Sequence, residues 1–252
     1  MNSNSKNILT YSMMGTGAYM LADVVHEVLG HASACLLIGQ HITLLTSVYF
    51  RSTPGSVITD LAGPLLNLIT GLIILTVILK KKDLSTFTHF FLLLALSFNF
   101  FWFSGTILQS AFSRTGDWTY IIKKLNVGTL GKPLLFIVGA AAYYYFIKLI
   151  RTKFLNFNLK YSSFPLRRNM FNAYRAAAFA AFAAGLLFSP DRLHAGIEGL
   201  LEVVASLPVL FIKLDEKPKE ETFEIKNSIV TNIVMGFLFI IFCLTLGRGF
   251  IF

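Results

Sequence analysis

Long apolar stretches separated by short polar or basic segments dominate this chain of 252 residues. A helix needs about 20 mostly apolar residues to cross the hydrocarbon core of a bilayer, which is roughly 30 Å thick. The first apolar stretch is longer than one span requires, so we expect it to be tilted or interrupted. The pattern predicts about six transmembrane helices, at Ile8–Gly39, Val57–Leu79, Phe87–Leu108, Pro133–Ile150, Met170–Phe188 and Ile229–Phe252.

Two other segments deviate from this pattern. Ile197–Leu214 is apolar but contains Glu198, Glu202 and Pro208. It is interpreted as an interfacial or re-entrant helix, with a seventh span as the alternative. The segment after Gly39 is rich in β-branched residues and ends in a Pro-Gly pair, which predicts a small hairpin or extended segment near the membrane surface.

The composition supports a membrane protein. Hydrophobic residues make up 55% of the chain, charged residues only 14%, and the mean hydropathy is +0.65. These values lie far from those of a soluble domain. The predicted fold class is therefore all-α, a polytopic integral membrane helical bundle.

The net charge of +9 indicates the membrane topology and does not suggest a nucleic-acid partner. The basic residues flank the spans and do not form one stripe interleaved with aromatic residues. They concentrate at Lys80–Lys82 and between Lys148 and Arg168, so the positive-inside rule makes both loops cytoplasmic. With six spans, both termini lie inside and the Ser189–Ser228 loop lies outside.

The stretch D-V-V-H-E-V-L-G-H, from Asp23 to His31, places four polar groups within the first apolar span. Ionisable residues inside a membrane are costly and mark functional sites. Two histidines with a glutamate suggest a zinc site with a general base. The usual H-E-x-x-H spacing puts both histidines on one helix face. His26 and His31 are five residues apart, so on an ideal helix they point about 140° away from each other.

Two metal-binding arrangements of this stretch remain open. A π-bulge, which Gly30 makes inexpensive, would bring His26 and His31 to the same side. Alternatively, a regular helix aligns Asp23, Glu27 and His31 on one face, with Glu27 as a ligand. A third interpretation is a polar cluster that pairs internally and holds helices together.

Polar residues also mark the next two spans. Asn67 follows A-G-P-L-L in the second span, where it needs a hydrogen-bond partner. The third span is expected to break at Ser104-Gly105 and to lead to Asp117 in G-D-W. Asp117 is either a ligand or the N-cap of the helix that follows.

The combination of H-E-V-L-G-H, A-G-P-L-L-N and G-D-W on three successive segments resembles the intramembrane metalloproteases of the site-two protease class. It is similar, more narrowly, to bacterial membrane relatives with an H-E-x-x-G-H variant. The resemblance covers roughly Leu21 to Trp118. It implies a three-helix metalloprotease-like core within residues 1–130 and additional transmembrane helices in residues 131–252.

The resemblance also implies residue roles. His26, His31 and Asp117 would bind Zn²⁺, Glu27 would be the general base, and Asn67 would be an auxiliary catalytic group near the substrate or oxyanion. The substrate would be a transmembrane peptide or protein, and the location a bacterial inner membrane.

Intramembrane zinc proteolysis is therefore the leading functional hypothesis, and two alternatives stay open. One is a metal-dependent enzyme acting on lipid through Asp23, Glu27 and His31. The other is a non-catalytic membrane scaffold or assembly factor that retains the protease-like core and docks a partner protein at the Ser189–Ser228 loop.

Overall fold

The computed structural model describes residues 3–213 and 228–252, with side chains for residues 8–213 and 229–252. Helices account for most of these residues. The α-helices are α1 (Ser3–Val24), α2 (Ser33–Leu37), α3 (Val57–Lys80), α4 (Thr86–Phe112), α5 (Asp117–Lys124), α6 (Gly131–Lys160), α7 (Leu166–Gly185), α8 (Arg192–Val204) and α9 (Ser228–Phe242). Two π-helical segments, Val25–Ala32 and Cys243–Gly247, continue α1 and α9. Short 3₁₀ turns lie at Gly128–Leu130, Ser189–Asp191 and Leu207–Phe211. The all-α class is confirmed, with a small β-sheet in addition.

Several of these helices are long and apolar enough to cross a membrane. Within the described residues the five candidates are Ile8–Leu37, Val57–Lys80, Thr86–Phe112, Gly128–Lys160 and Ile229–Gly247. A sixth arises if α7 and Ser189–Val204, which are bent by 93° against each other, count as one span. These lengths agree with the predicted membrane class, and the figure of about six spans stays a prediction.

The first apolar stretch is interrupted, as expected, by the π-helical segment Val25–Ala32, which we call the central π-helix. The break expected at Ser104-Gly105 is wrong, because α4 runs continuously through it to Phe112. The Ser104 hydroxyl donates to the Phe100 carbonyl oxygen at 2.9 Å and so stays within its own helix. Gly105 instead gives α4 a close contact, since an added Cβ there would lie 2.9 Å from Ala205.

The helix predicted at Ile197–Leu214 begins earlier, as α8, and is followed by the 3₁₀ turn Leu207–Phe211. It packs tightly on α7, because a Cβ added to Gly199 would lie 2.8 Å from the Ala181 carbonyl oxygen. Residues 214–227 of the predicted Ser189–Ser228 loop fall outside the described residues, so the predicted position of that loop is not tested.

The bundle is centred on α1 and α4. Helix α1 packs against α4, α7 and α9, while α4 also packs against α3 and α6. Large aromatic side chains fill the space between α4 and α6, and Phe100 and Phe146 stack with ring centroids 4.3 Å apart. The resulting core holds α3 and the central π-helix in fixed contact.

A three-stranded antiparallel sheet lies at one end of the bundle, in the order β2-β1-β3. β1 (His41–Leu45) and β2 (Phe50–Thr53) confirm the predicted hairpin. β3 (Phe250–Ile251) is at the C-terminus, where the sequence predicted a continuing span. Gly249, with φ of +76°, turns the chain out of the π-helical segment, and the Phe252 amide donates to the Thr43 carbonyl oxygen at 3.1 Å.

Many of the basic residues gather at the opposite end of the bundle. Lys160, at the end of α6, donates to the carbonyl oxygen of Lys82 at 2.6 Å. Tyr161 likewise donates to that of Leu84 at 2.7 Å. The two segments predicted to face the cytoplasm are therefore at one end, away from the sheet.

Candidate metal centre

The central π-helix brings His26 and His31 together. A π-helix is closed by hydrogen bonds between residues i and i+5, which brings side chains at i and i+5 to nearly the same side. The two Nε2 atoms lie 3.1 Å apart. Gly30 permits this segment to pack closely on α3, because an added Cβ would lie 2.9 Å from the Gly63 nitrogen. The structure therefore has the π-helical geometry that the first of the two arrangements left open by the sequence requires.

Asp117 completes this group from the start of α5. Its Oδ2 lies 3.2 Å from His26 Nε2, and its Oδ1 lies 3.4 Å from His31 Nε2. The N-cap position of α5 is Gly116, whose φ of +106° suits glycine, so Asp117 is the first helical residue. The carboxylate faces the two histidines.

Hydrogen bonds fix which nitrogen of each imidazole carries the proton. His31 Nδ1 donates to the Thr59 carbonyl oxygen at 2.7 Å, since a carbonyl oxygen can only accept. His26 Nδ1 faces Asn67 Oδ1 at 2.6 Å. The Asn67 amide nitrogen donates to the Ala22 carbonyl oxygen and to Asn99 Oδ1, each at 3.0 Å, which sets the orientation of the amide. In neutral imidazoles both Nε2 atoms therefore present lone pairs.

Two imidazoles and one carboxylate thus converge: the two Nε2 atoms lie 3.1 Å apart, and each lies 3.2–3.4 Å from a different oxygen of Asp117. Without a proton or a cation between them they would repel. Ligand bonds of 2.0–2.2 Å in a tetrahedral site place neighbouring ligand atoms about 3.3–3.6 Å apart. The donor set therefore fits a metal ion in both chemistry and spacing.

The charge of Asp117 agrees with this role. Burial by itself raises the pKa of Asp117, but a positively charged His31 and hydrogen bonds from both imidazoles outweigh burial and hold this pKa well below the usual range of a carboxyl group. A metal ion would take the place of the protons between these groups, because imidazole ligands bind metals in their neutral form.

Glu27 belongs to the same group and is almost wholly buried. Ligand atoms of His26, Glu27 and His31 all lie within 4.8 Å of one another, and these residues could hold a metal ion. Glu27 Oε2 is buried without a hydrogen-bond partner among the described residues. A carboxylate oxygen in this state is free to accept a proton from a molecule bound beside the histidines.

Aromatic rings form two walls of the site. Trp102 of α4 stacks on His26 with centroids 5.8 Å apart, and Phe50 of β2 stacks on His31 at 5.2 Å. The rings limit rotation of the imidazoles and cover them from solvent. Asp117, with 22% of its side chain exposed, is more accessible than either histidine. The candidate metal centre is therefore most accessible from the side of α5.

Asp23 lies outside this group. It is fully buried, its Oδ2 accepts a hydrogen bond from the Tyr19 hydroxyl at 3.3 Å, and its Oδ1 has no partner among the described residues. The alternative metal face of Asp23, Glu27 and His31 required a regular helix, and the π-helix removes that regularity.

The structure thus assembles four of the five predicted site residues and places Asn67 directly behind His26. Sequence reasoning did not find Thr59, Phe50 or Trp102 as parts of the site. Asn99 did give a signal, because it is a strongly polar residue within an apolar span. No protein-family model, curated protein or solved structure matches this chain.

Proposed function

We propose that this protein is an intramembrane zinc metalloprotease that hydrolyses peptide bonds of membrane-embedded substrates. The observation that carries the proposal is the convergence of His26, His31 and Asp117, in which the two Nε2 atoms are 3.1 Å apart and each is 3.2–3.4 Å from one carboxylate oxygen. Beside them lies Glu27 Oε2, which has no partner among the described residues. The three motifs that resemble the site-two protease class supply these residues, all within residues 1–130. The membrane is proposed to be a bacterial inner membrane, as that resemblance implies.

Zinc is favoured over other metals by the ligand types. Two imidazoles and one carboxylate are a common set for catalytic zinc, in which three protein ligands leave a fourth position open. Calcium and magnesium prefer sites made of oxygen atoms alone. The hydrogen bonds from the Nδ1 atoms to Asn67 and Thr59 are of the kind that orients imidazole ligands in metal sites.

A bound zinc ion would supply Lewis acidity, which makes water nucleophilic at neutral pH and polarises a carbonyl group. Glu27 would accept a proton from the attacking water while the oxygen of that water bonds to the substrate carbonyl carbon. The same carboxyl group would return that proton to the amide nitrogen when the carbon–nitrogen bond breaks. One water is consumed, and a carboxyl and an amine terminus are released.

The contacts of Asn67 support a different role from the one that the resemblance implies. Its carbonyl oxygen faces His26, and its amide nitrogen donates to Ala22 and Asn99. With these bonds in place it orients His26. The sequence-based role of Asn67, as a donor to the substrate or oxyanion, would require some of them to break.

The proposal is tested with Glu27→Gln. The variant keeps the volume of the side chain but cannot accept the proton, so we expect it to bind zinc and lose cleavage. Purified protein in proteoliposomes would be incubated with a library of single-span peptides, and products would be identified by mass spectrometry. Asp23→Asn is the matched control, because it neutralises another buried carboxylate on the same helical stretch. Cleavage by Glu27→Gln at the wild-type rate would refute the assignment.

A further inference from the structure

Helix α5 is tied to α3 by an ion pair at the end opposite its metal ligand. Lys124 Nζ, on the last residue of α5, lies 2.6 Å from Asp60 Oδ2 in the first turn of α3. The two side chains are 33% and 16% exposed, so solvent screens the pair only in part. At a rise of about 1.5 Å per residue, the ends of this helix are roughly 10 Å apart.

Asp60 is also next to a group that orients the metal site. The preceding residue, Thr59, provides the carbonyl oxygen that accepts from His31 Nδ1. The Thr59 amide donates to the Ser56 hydroxyl oxygen at 3.1 Å, and the Thr59 hydroxyl donates to Gln40 Oε1 at 3.0 Å. The ion pair therefore joins the turn that orients one ligand to the helix that carries another.

Other polar contacts of α5 reach a different helix. The Thr119 hydroxyl donates to the Ser110 carbonyl oxygen at 3.1 Å, and Trp118 donates to Thr106 at 3.2 Å. Both partners are on α4. These bonds hold α5 on α4, whereas Lys124 connects it to α3, the helix that contacts both histidines.

We propose that Asp60 and Lys124 are positioning residues for the metal centre, acting by fixing α5 so that Asp117 stays within coordinating distance of His26 and His31. This inference rests on the proposed function, because it assumes that these three residues bind zinc. Removing one member of the pair would leave packing to hold α5 against α3, so that α5 could shift by a small distance. Metal sites tolerate errors of only about 0.2 Å in ligand distances, so a small shift of Asp117 matters.

A purely electrostatic role and a positioning role of Lys124 predict opposite changes in zinc affinity for Lys124→Gln. Loss of a positive charge near the site would by itself strengthen binding of a cation. Loss of the tether would weaken it, and outer-shell substitutions typically reduce metal affinity by about 10–100-fold. The direction of the change therefore separates the two effects.

Lys123→Gln is a matched control on the same helix. Lys123 donates to the Arg114 carbonyl oxygen at 2.8 Å, in the turn that precedes α5, and lies over the Tyr120 ring. The Lys123→Gln substitution removes the same charge one residue away and leaves the ion pair between α5 and α3 intact. Lys124→Arg keeps the charge and the reach to Asp60 and serves as the rescue variant.

The experiment measures the zinc dissociation constant of the full-length, detergent-purified protein by competition with a chelator, and the absorption spectrum of the Co²⁺ form. We expect Lys124→Gln to weaken zinc binding at least about tenfold and to change the Co²⁺ spectrum. We expect Lys123→Gln and Lys124→Arg to behave as the wild type. Asp60→Asn tests the pair from its other side, should Lys124→Gln not fold. Loss of its negative charge would by itself weaken zinc binding, so for this variant the changed Co²⁺ spectrum is the expected sign of a displaced Asp117.

Wild-type affinity in both Lys124→Gln and Asp60→Asn, or an equal loss in Lys123→Gln, would overturn the inference while leaving the zinc site intact. A folded wild type that binds no zinc would overturn the proposed function and this inference with it.

Discussion

Gly63 of α3 leaves room for His31, and its substitution by alanine tests the geometry of the metal centre. A Cβ added at Gly63 would lie 2.6 Å from His31 Cε1 and 2.8 Å from Cδ2, whereas ordinary contacts begin at 3.4 Å. Nε2 would lie closer still, so the ring would have to move by at least about 0.8 Å to reach that contact distance. Phe50 stacks on the same ring and Thr59 holds its Nδ1, so the ring has little freedom to adjust.

The expected effect on metal binding follows from this displacement. A shift of about 0.8 Å is several times the roughly 0.2 Å tolerance of a metal–ligand bond. We therefore expect Gly63→Ala to weaken zinc binding by at least about 10–100-fold, the range seen when the support of a ligand is lost. Overpacking also lowers the free energy of unfolding, by about 1–3 kcal/mol.

The assay is chelator competition for zinc, with stability measured separately by thermal unfolding in detergent. Gly71→Ala is the control, because its added Cβ would lie 2.5 Å from Cδ1 of Phe100, which is not part of the site. It should lose similar stability and keep its zinc affinity. The reasoning is refuted if Gly63→Ala binds zinc like the wild type, or if both variants lose affinity equally.

Three further outcomes are expected. Asn67→Leu removes the acceptor for His26 Nδ1 and should lower zinc affinity by about 10–100-fold in the same competition assay, whereas Asn67→Asp keeps an acceptor and should retain more of it. Asp23→Asn should leave zinc affinity unchanged, since the carboxylate contacts Tyr19 and lies outside the metal group; loss of zinc would favour the lipid-acting alternative. Free zinc at 100 times its dissociation constant should raise the free energy of unfolding by about 2.7 kcal/mol relative to chelator-treated protein, measured by chemical denaturation; equal stability in both samples would contradict a folded-state zinc site.

Much of the fold follows from local sequence patterns. The apolar stretches predict the long helices because a span depends on length and hydropathy. The hairpin at β1 and β2 was predicted from its β-branched residues and the turn after it. The π-helix was one of two open alternatives. His26 and His31 are five residues apart, so their side chains lie on the same side only if the helix is distorted.

The parts that sequence reasoning missed depend on tertiary contacts. The expected break at Ser104-Gly105 does not occur, because the Ser104 hydroxyl is satisfied within α4 and Gly105 provides a packing contact. β3 pairs with β1 across more than 200 residues of sequence, which no local pattern reveals.

The site shows the same division. His26, Glu27 and His31 were apparent because polar groups are rare in an apolar span. The carbonyl oxygen of Thr59 carries no side-chain signal, and the ion pair of Lys124 with Asp60 joins residues 64 apart in the chain. Such partners are identified only when the helices are assembled.

The central claim is that His26, His31 and Asp117 bind one metal ion together. Its most direct test is the metal content of the purified, folded wild type beside alanine variants of these three residues, with His89→Ala as the control for loss of a histidine elsewhere. The account predicts close to one zinc per wild-type chain, loss of zinc in all three site variants, and retention in the control. A folded wild type without metal, or an Asp117→Ala variant with its zinc affinity intact, would contradict it.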